Sequence, residues 1–232
     1  MQSGKTKGSA EPIAQPAHLY SAWWVTEKRI GSSIRLEPLC ADIYDTETIW
    51  LGKVASIQGG IMNRLQLATL LSWAGEEGVK GRKRLQKVVF ALQQIGCPLE
   101  CRFILHHYGP YSGDVADICD EMVAASLVEE SCPEIGSRSY TYKLKPKTSA
   151  LLEKTASDAK LNSFKDHAES LWKEDLWNLE LGSTILYFFR QSEDWSRSLS
   201  KACEFKKVPE DIDRSRDALD FAQSLVAPAV QN

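Results

Sequence analysis

No apolar run in the 232-residue chain approaches the roughly 18 residues a membrane-spanning helix needs, and the N-terminus MQSGKTKGSAEPIAQPA lacks the apolar core of a secretory signal. The expected location is therefore the cytoplasm. Charge of one sign is also scarce: the formal net charge is -3, whereas proteins that coat nucleic acid or anionic membranes carry a large basic surplus. Six cysteines are too few for a disulfide scaffold, so in a reducing compartment they read as packed thiols. The glycines form neither G-x-x-x-x-G-K-[ST] nor G-x-G-x-x-G, and Gly182-Ser183-Thr184 falls inside a helical pattern, which excludes a phosphate loop. No repeat with a period of 20 to 50 residues is present, which excludes solenoids and propellers.

What is there begins poorly patterned and becomes regular. Residues 1–17 are rich in Gly, Ser, Lys, Gln and Pro and read as disordered. Residues 18–61 hold Trp23, Trp24, Ile34, Leu36 and Trp50, with strand-like residues from Thr48 to Ile57, and suggest a small β-rich extension. The alternative is that translation normally starts at Met62 and residues 1–61 are a start-site artefact. From Asn63, Leu65, Leu67, Leu70, Leu71 and Trp73 mark a short helix ending near Gly75–Gly78. In GRKRLQKVVFALQQIG, Leu85, Val88, Val89 and Leu92 fall at i, i+3, i+4 and i+7, and Gly96 with Pro98 ends that helix. Arg102 to Tyr108 reads as a strand leading into a Gly109-Pro110 turn. Ser112 then caps a helix whose buried face is Val115, Ile118, Cys119 and Met122. The alternation of Tyr140, Tyr142 and Leu144 reads as a hairpin strand.

Helix, helix, helix and hairpin is the order of a winged helix. The expected fold is mainly α with some β (α+β): a winged-helix-like domain over 62–147 with a β-hairpin wing, then a helical C-terminal region over 148–232 packed on it. Its segments are expected near 148–159, 163–172, 176–190, 195–205 and 209–226, the last with Pro209 in its first turn.

Lys80, Arg82, Lys83, Arg84 and Lys87 are five cations with no acidic residue between Gly78 and Leu99. Helical spacing puts Lys80, Arg84 and Lys87 on one face, opposite Leu85 and Val88, where they form either a solvated surface or a grip for phosphates or an acidic partner. The next helix is the one that normally enters a DNA groove, and between Ser112 and Glu130 it has six carboxylates and no Lys or Arg. Base edges and phosphates are read by cations and amides, so groove recognition through that helix is disfavoured. The wing, with Arg138, Lys143, Lys145 and Lys147, retains a backbone-only option. Cys97, Cys101, His106 and His107 contain zinc-ligand types, but the spacing is wrong for a C-x2-C knuckle and adjacent histidines on a strand point to opposite faces. They read as packed thiols and a structural histidine, with no metal and no cofactor. The pairs Glu76-Glu77, Glu129-Glu130 and Glu210-Asp211 read as loop and helix-start charges.

The run from Arg84 to Glu130 resembles the YwgA-like bacterial proteins and, more remotely, the Panacea-type antitoxin domain. The resemblance rests on Leu85-Gln86-Lys87 opening an apolar helix, on His107-Tyr108-Gly109-Pro110-Tyr111-Ser112 before the next, and on Leu127-Val128-Glu129-Glu130. With LWNLELGSTILYFF in the tail, it covers about residues 63–200. The Tyr-Gly-Pro-Tyr-Ser element reads as a tight turn that buries two Tyr rings. The Panacea resemblance implies toxin neutralisation through protein contacts. The expected function is a non-enzymatic protein-interaction module, antitoxin-like or regulatory, with a toxin or regulatory protein as partner, bound through Lys80, Arg84, Lys87, His107, Tyr108 and Tyr111. The alternatives are a DNA-binding regulator that grips backbone through Lys80, Arg84, Lys87, Arg138, Lys143 and Lys145, and an enzyme centred on Cys101 or His107.

Overall fold

A computed structural model describes residues 62–132, 140–155 and 158–226, together with the backbone of two strands nearer the N-terminus. Those strands, β1 (Thr26–Ile30) and β2 (Ser33–Glu37), form an antiparallel hairpin in which Thr26 faces Glu37 and Ile30 faces Ser33. The hairpin falls within the stretch read as β-rich; the strand-like run 48–57 lies outside the described residues.

From Met62 onward the helical periodicity is realised. Helix α1 (Arg64–Ser72) starts at a reciprocal capping box, Asn63 accepting from the Gln66 backbone and Gln66 from the Asn63 backbone, and it buries Leu67, Leu70 and Leu71. A glycine-rich turn leads to β3 (Val79–Lys80) and then α2 (Arg82–Gln94). The hairpin strands β4 (Ile104–His106) and β5 (Gly109–Tyr111) follow. Next comes α3 (Gly113–Ala124), with Val115, Ile118, Cys119 and Met122 buried as its pattern requires. Strands β6 (Val128–Ser131) and β7 (Thr141–Leu144) complete a second sheet in which β7 lies between β3 and β6, all pairs antiparallel.

The remainder is helical: α4 (Pro146–Lys154), α5 (Ala159–Asn162), α6 (Lys165–Lys173), α7 (Leu176–Ser192), α8 (Trp195–Lys206) and α9 (Asp213–Ser224). Helix α7 is the hub of this part, packing against α9, α8, α2 and β5. It crosses α9 closely because Gly182 has no side chain: a Cβ there would stand 2.5 Å from a ring carbon of Phe221 and 2.9 Å from the Ala218 carbonyl oxygen. Long-range hydrogen bonds tie the C-terminal helices to α1 and α2, with Trp172 Nε1 donating to the Leu70 carbonyl and the Arg190 guanidinium to the Gln94 carbonyl. The molecule is thus mainly helical with small antiparallel sheets and a helical C-terminal region. Among the described residues, no helix is long and apolar enough to cross a membrane.

Four local expectations need correction. The turn of the β4–β5 hairpin is His107-Tyr108, and Gly109-Pro110 belongs to β5, with Pro110 opposite Leu105. Gly109 adopts φ +89°, and a Cβ at this position would stand 2.4 Å from Thr184 Oγ1, so its role is close packing against α7. Ser112 occupies the cap position of α3 without capping it: its buried hydroxyl has no partner among the described residues, while the Gln86 side chain holds its backbone N–H and C=O. Pro146 starts α4 at its first turn, two residues earlier than expected, where its missing N–H costs nothing. Pro209 lies ahead of α9, and its carbonyl accepts from the Ser215 hydroxyl in the helix's first turn.

Candidate functional site

The stripe Leu85, Val88, Val89 and Leu92 packs α2 on the core as the spacing requires, but Gln86, Lys87, Phe90 and Ala91 on its other faces are buried too. A helix covered on one side only would leave Lys87 in water. Here β5 and α7 close over it, and Lys87 is 2% exposed. Its ammonium donates to the Pro110 carbonyl at 2.6 Å, and among the described residues it makes no ion pair. Burial, reinforced by the nearby Lys206 and Lys83 and opposed by Glu180, pushes its pKa down to about 7.

The other cations of this stretch disperse. Lys80 is on β3, exposed and 2.5 Å from Glu77, whose carboxyl it holds below the usual range. Arg82 donates to the Tyr142 hydroxyl at 2.7 Å and pairs with Asp120 at 2.6 Å and Glu130 at 3.2 Å. Tyr142 is itself buried and donates to Glu130, so one network joins the start of α2, α3 and the β6–β7 sheet. Lys83 pairs with Glu180 at 3.3 Å and stands 3.9 Å over the ring of Tyr108. Arg84 turns the other way and donates to the Trp172 and Glu174 carbonyls at the end of α6. The expectation that Lys80, Arg84 and Lys87 share a solvated face is therefore corrected: Lys80 precedes the helix, Arg84 closes another helix and Lys87 is inside.

What the fold does bring together is Lys83, Lys87 and Tyr108 with two residues that sequence reasoning missed. Glu180 on α7 pairs with both Lys83 and Lys206, the latter at 3.1 Å, and the Lys206 amine lies 6.0 Å from the Tyr108 ring centre. A signal for Glu180 existed, since it is the only charged residue between Asp175 and Arg190 in an otherwise apolar helix. Lys206 at the end of α8 had none. A pocket of about 230 Å³ opens between α2, the β4–β5 hairpin and α3; Arg82, Lys83 and Tyr108 are among its exposed lining residues, and Leu85, Lys87 and Cys119 among the buried ones. A second pocket, of about 380 Å³, shares Tyr108 and is lined by His107, Trp177, Phe205 and Lys206.

The hairpin is exposed at both ends, Tyr108 at its turn being 53% accessible and Ile104 at the start of β4 60%, so the Tyr-Gly-Pro-Tyr element does not bury both rings. Tyr111 is half-buried with its ring centre 5.5 Å from that of His106. Cys97 and Cys101 are buried, whereas His106 and His107 are exposed, so neither of these two histidines is held as a core residue. Burial pushes the thiols of Cys97 and Cys101 up to about 12, and the Cys101 sulfur packs 3.5 Å from that of Met62. Of the wing cations, Lys143 is exposed opposite Glu129, Lys145 is half-buried ahead of α4, and Arg138 lies outside the described residues.

The chain is thus a mainly helical protein in which a buried lysine and an aromatic hairpin meet over a small pocket. No family model matches it. It is similar to a Bacillus subtilis relative that bears the name "Uncharacterized protein YwgA", with 31% identity over 124 residues, 53% of this chain and 72% of the relative. The chain belongs to the YwgA family.

Proposed function

We propose that this protein is a non-enzymatic protein-interaction module, antitoxin-like or regulatory, on a winged-helix-like core, and that its partner docks on the β4–β5 hairpin. The winged-helix reading is supported by the order α1, β3, α2, α3, β6, β7, into which the β4–β5 hairpin is inserted between α2 and α3, and by β7 lying between β3 and β6. The observation that carries the interaction reading is the exposure of Ile104 and Tyr108 on one short hairpin, with the exposed ring of Phe205 bordering the same pocket as Tyr108. Aromatic and aliphatic anchors of this kind dominate protein interfaces. Of the residues assigned from sequence, His107 and Tyr108 meet the partner directly, while Arg84 and Lys87 act inside the molecule.

A DNA-reading role receives less support. Helix α3 presents exposed Asp117, Asp120 and Glu121, and the cations of α2 are engaged internally, which leaves the wing's Lys143 and Lys145 for phosphate. A thiol enzyme receives less still, because buried thiols held near 12 are poor nucleophiles. The test is purification of the tagged protein from its own host, with the double variant Ile104→Ser, Tyr108→Ala alongside. A stoichiometric protein partner that survives high salt and is lost from the folded variant is the expected result. Nuclease-sensitive absorbance that vanishes with salt, with no protein partner, would overturn the reading in favour of DNA.

A further inference from the structure

Lys83, Lys87 and Lys206 bring three amines around one carboxylate, Glu180. Glu180 is matched to Lys83 at 3.3 Å and to Lys206 at 3.1 Å, which leaves Lys87 without a counter-charge among the described residues. An ammonium carries three donors, and this buried nitrogen has one acceptor, the Pro110 carbonyl oxygen. A neutral amine suits the position better, since it gives one N–H to Pro110 and keeps its lone pair. Desolvation and neighbouring cations are the two means by which proteins turn a lysine into a nucleophile, and both act on Lys87.

The surroundings add a place for a substrate. Lys87 lines the 230 Å³ pocket together with Leu85, Ala116 and Cys119, which offer an apolar wall, and Lys83 and Arg82 stand on its exposed side. The surplus of positive charge around Glu180 selects a ligand with an anionic group. We propose that Lys87 captures a small 2-oxo acid as an imine in this pocket, with the ligand carboxylate beside Lys83 and its apolar body against Leu85, Ala116 and Cys119. The lone pair of Lys87 attacks the ketone carbon, a C–N bond forms, and the carbonyl oxygen becomes a hydroxyl. That oxygen then leaves as water with the two hydrogens the amine gives up, and a C=N bond remains. No electrons are transferred and no co-reactant is consumed; water reverses the step. The capture is stoichiometric and independent of whether a protein partner docks on the hairpin.

The competing role is a purely structural one, in which Lys87 only ties Pro110 to α2. The full-length protein is incubated at neutral pH with pyruvate or phenylpyruvate and cyanoborohydride, and the reduced adducts are mapped by peptide mass spectrometry. Labelling at Lys87 should exceed that at any exposed lysine by roughly tenfold or more, because ordinary lysines are almost wholly protonated there. Labelling should be half-maximal near pH 7, set by burial and by Lys206, Glu180 and Lys83, with His106 and Arg82 the other charged or titratable groups that line the pocket. The pH profile needs only the unaltered protein, so it does not depend on any variant folding. The variant Lys83→Ala should reduce labelling by the oxo acids more than labelling by propionaldehyde. An unlabelled Lys87 at pH 8, or adducts spread evenly over exposed lysines, would overturn the proposal; equal effects of Lys83→Ala on both probes would overturn the carboxylate assignment.

Discussion

Helices α2 and α3 carry opposite charge in the sequence and treat that charge in opposite ways. On α2, Arg82, Lys83, Arg84 and Lys87 each turn to a partner within the molecule: a carboxylate pair, Glu180, the end of α6 and the Pro110 carbonyl. On α3, Asp114 in the first turn is half-buried and accepts from the Arg102 backbone, while Asp117, Asp120 and Glu121 stay exposed, Asp120 and Glu121 pairing with Arg82 and Arg64. The difference follows from position. Beyond Arg82 and Lys83, which are exposed at its start, helix α2 is enclosed by β5, α6, α7 and α3, whereas the outer face of α3 meets water along its length. A count of charges along a helix is therefore no measure of the charge it offers a partner.

The largest test of that contrast is the pH dependence of stability. Lys87 binds its proton in the unfolded chain up to about pH 10.5 but in the folded chain only up to about pH 7. The unfolded state thus holds more protons between these values, and stability should rise with pH across that window, by up to roughly 1.4 kcal/mol per pH unit from this one group. Below pH 7 both states are protonated and the full cost of the buried charge is present. Urea melts from pH 6.5 to 9.5 should show the rise, and Lys87→Met should flatten it; parallel profiles for the two proteins would place the amine's proton elsewhere.

Arg84→Met comes next. It removes two hydrogen bonds to carbonyls at the end of α6 and should lower stability by about 1–2 kcal/mol in a denaturant titration, with little dependence on salt. Arg82→Ala breaks the bridge between α2, α3 and β6. Its guanidinium is half in solvent, so the loss should be about 1 kcal/mol and should shrink as salt rises. Lys80→Ala is the control. Its exposed pair with Glu77 should be worth within about 0.5 kcal/mol, and a larger loss would mean that β3 depends on it.

The helices from α1 to α3 were readable because their buried positions repeat at the helical period, and Leu85, Val88, Val89 and Leu92 on α2 behave as that period demands. The YwgA resemblance was readable from the same segments. The β4–β5 hairpin was displaced by two residues, because Gly109-Pro110 is a strong turn pair locally, whereas the close approach of Thr184 gives Gly109 a different task. The position of Ser112 was right and its role was not, since Gln86 reaches the same backbone from another helix. Of the five residues that meet at the candidate site, Lys87 and Tyr108 were named in advance as partner-binding and Lys83 as a member of the basic cluster; Glu180 and Lys206 lie more than 90 residues beyond Lys87, and no spacing rule links them to α2.

The sequence by itself determined where helices form, which single face of each is apolar, and that α3 is the acidic one, because these depend on residues within a turn or two of each other. Only the tertiary structure decided that Lys87 on the polar side of α2 would be covered, with the Pro110 carbonyl as its partner, and that Glu180 would be shared by two lysines from other helices. Those outcomes depend on what packs against a helix from far away in the chain, and a residue's own neighbours carry no record of it.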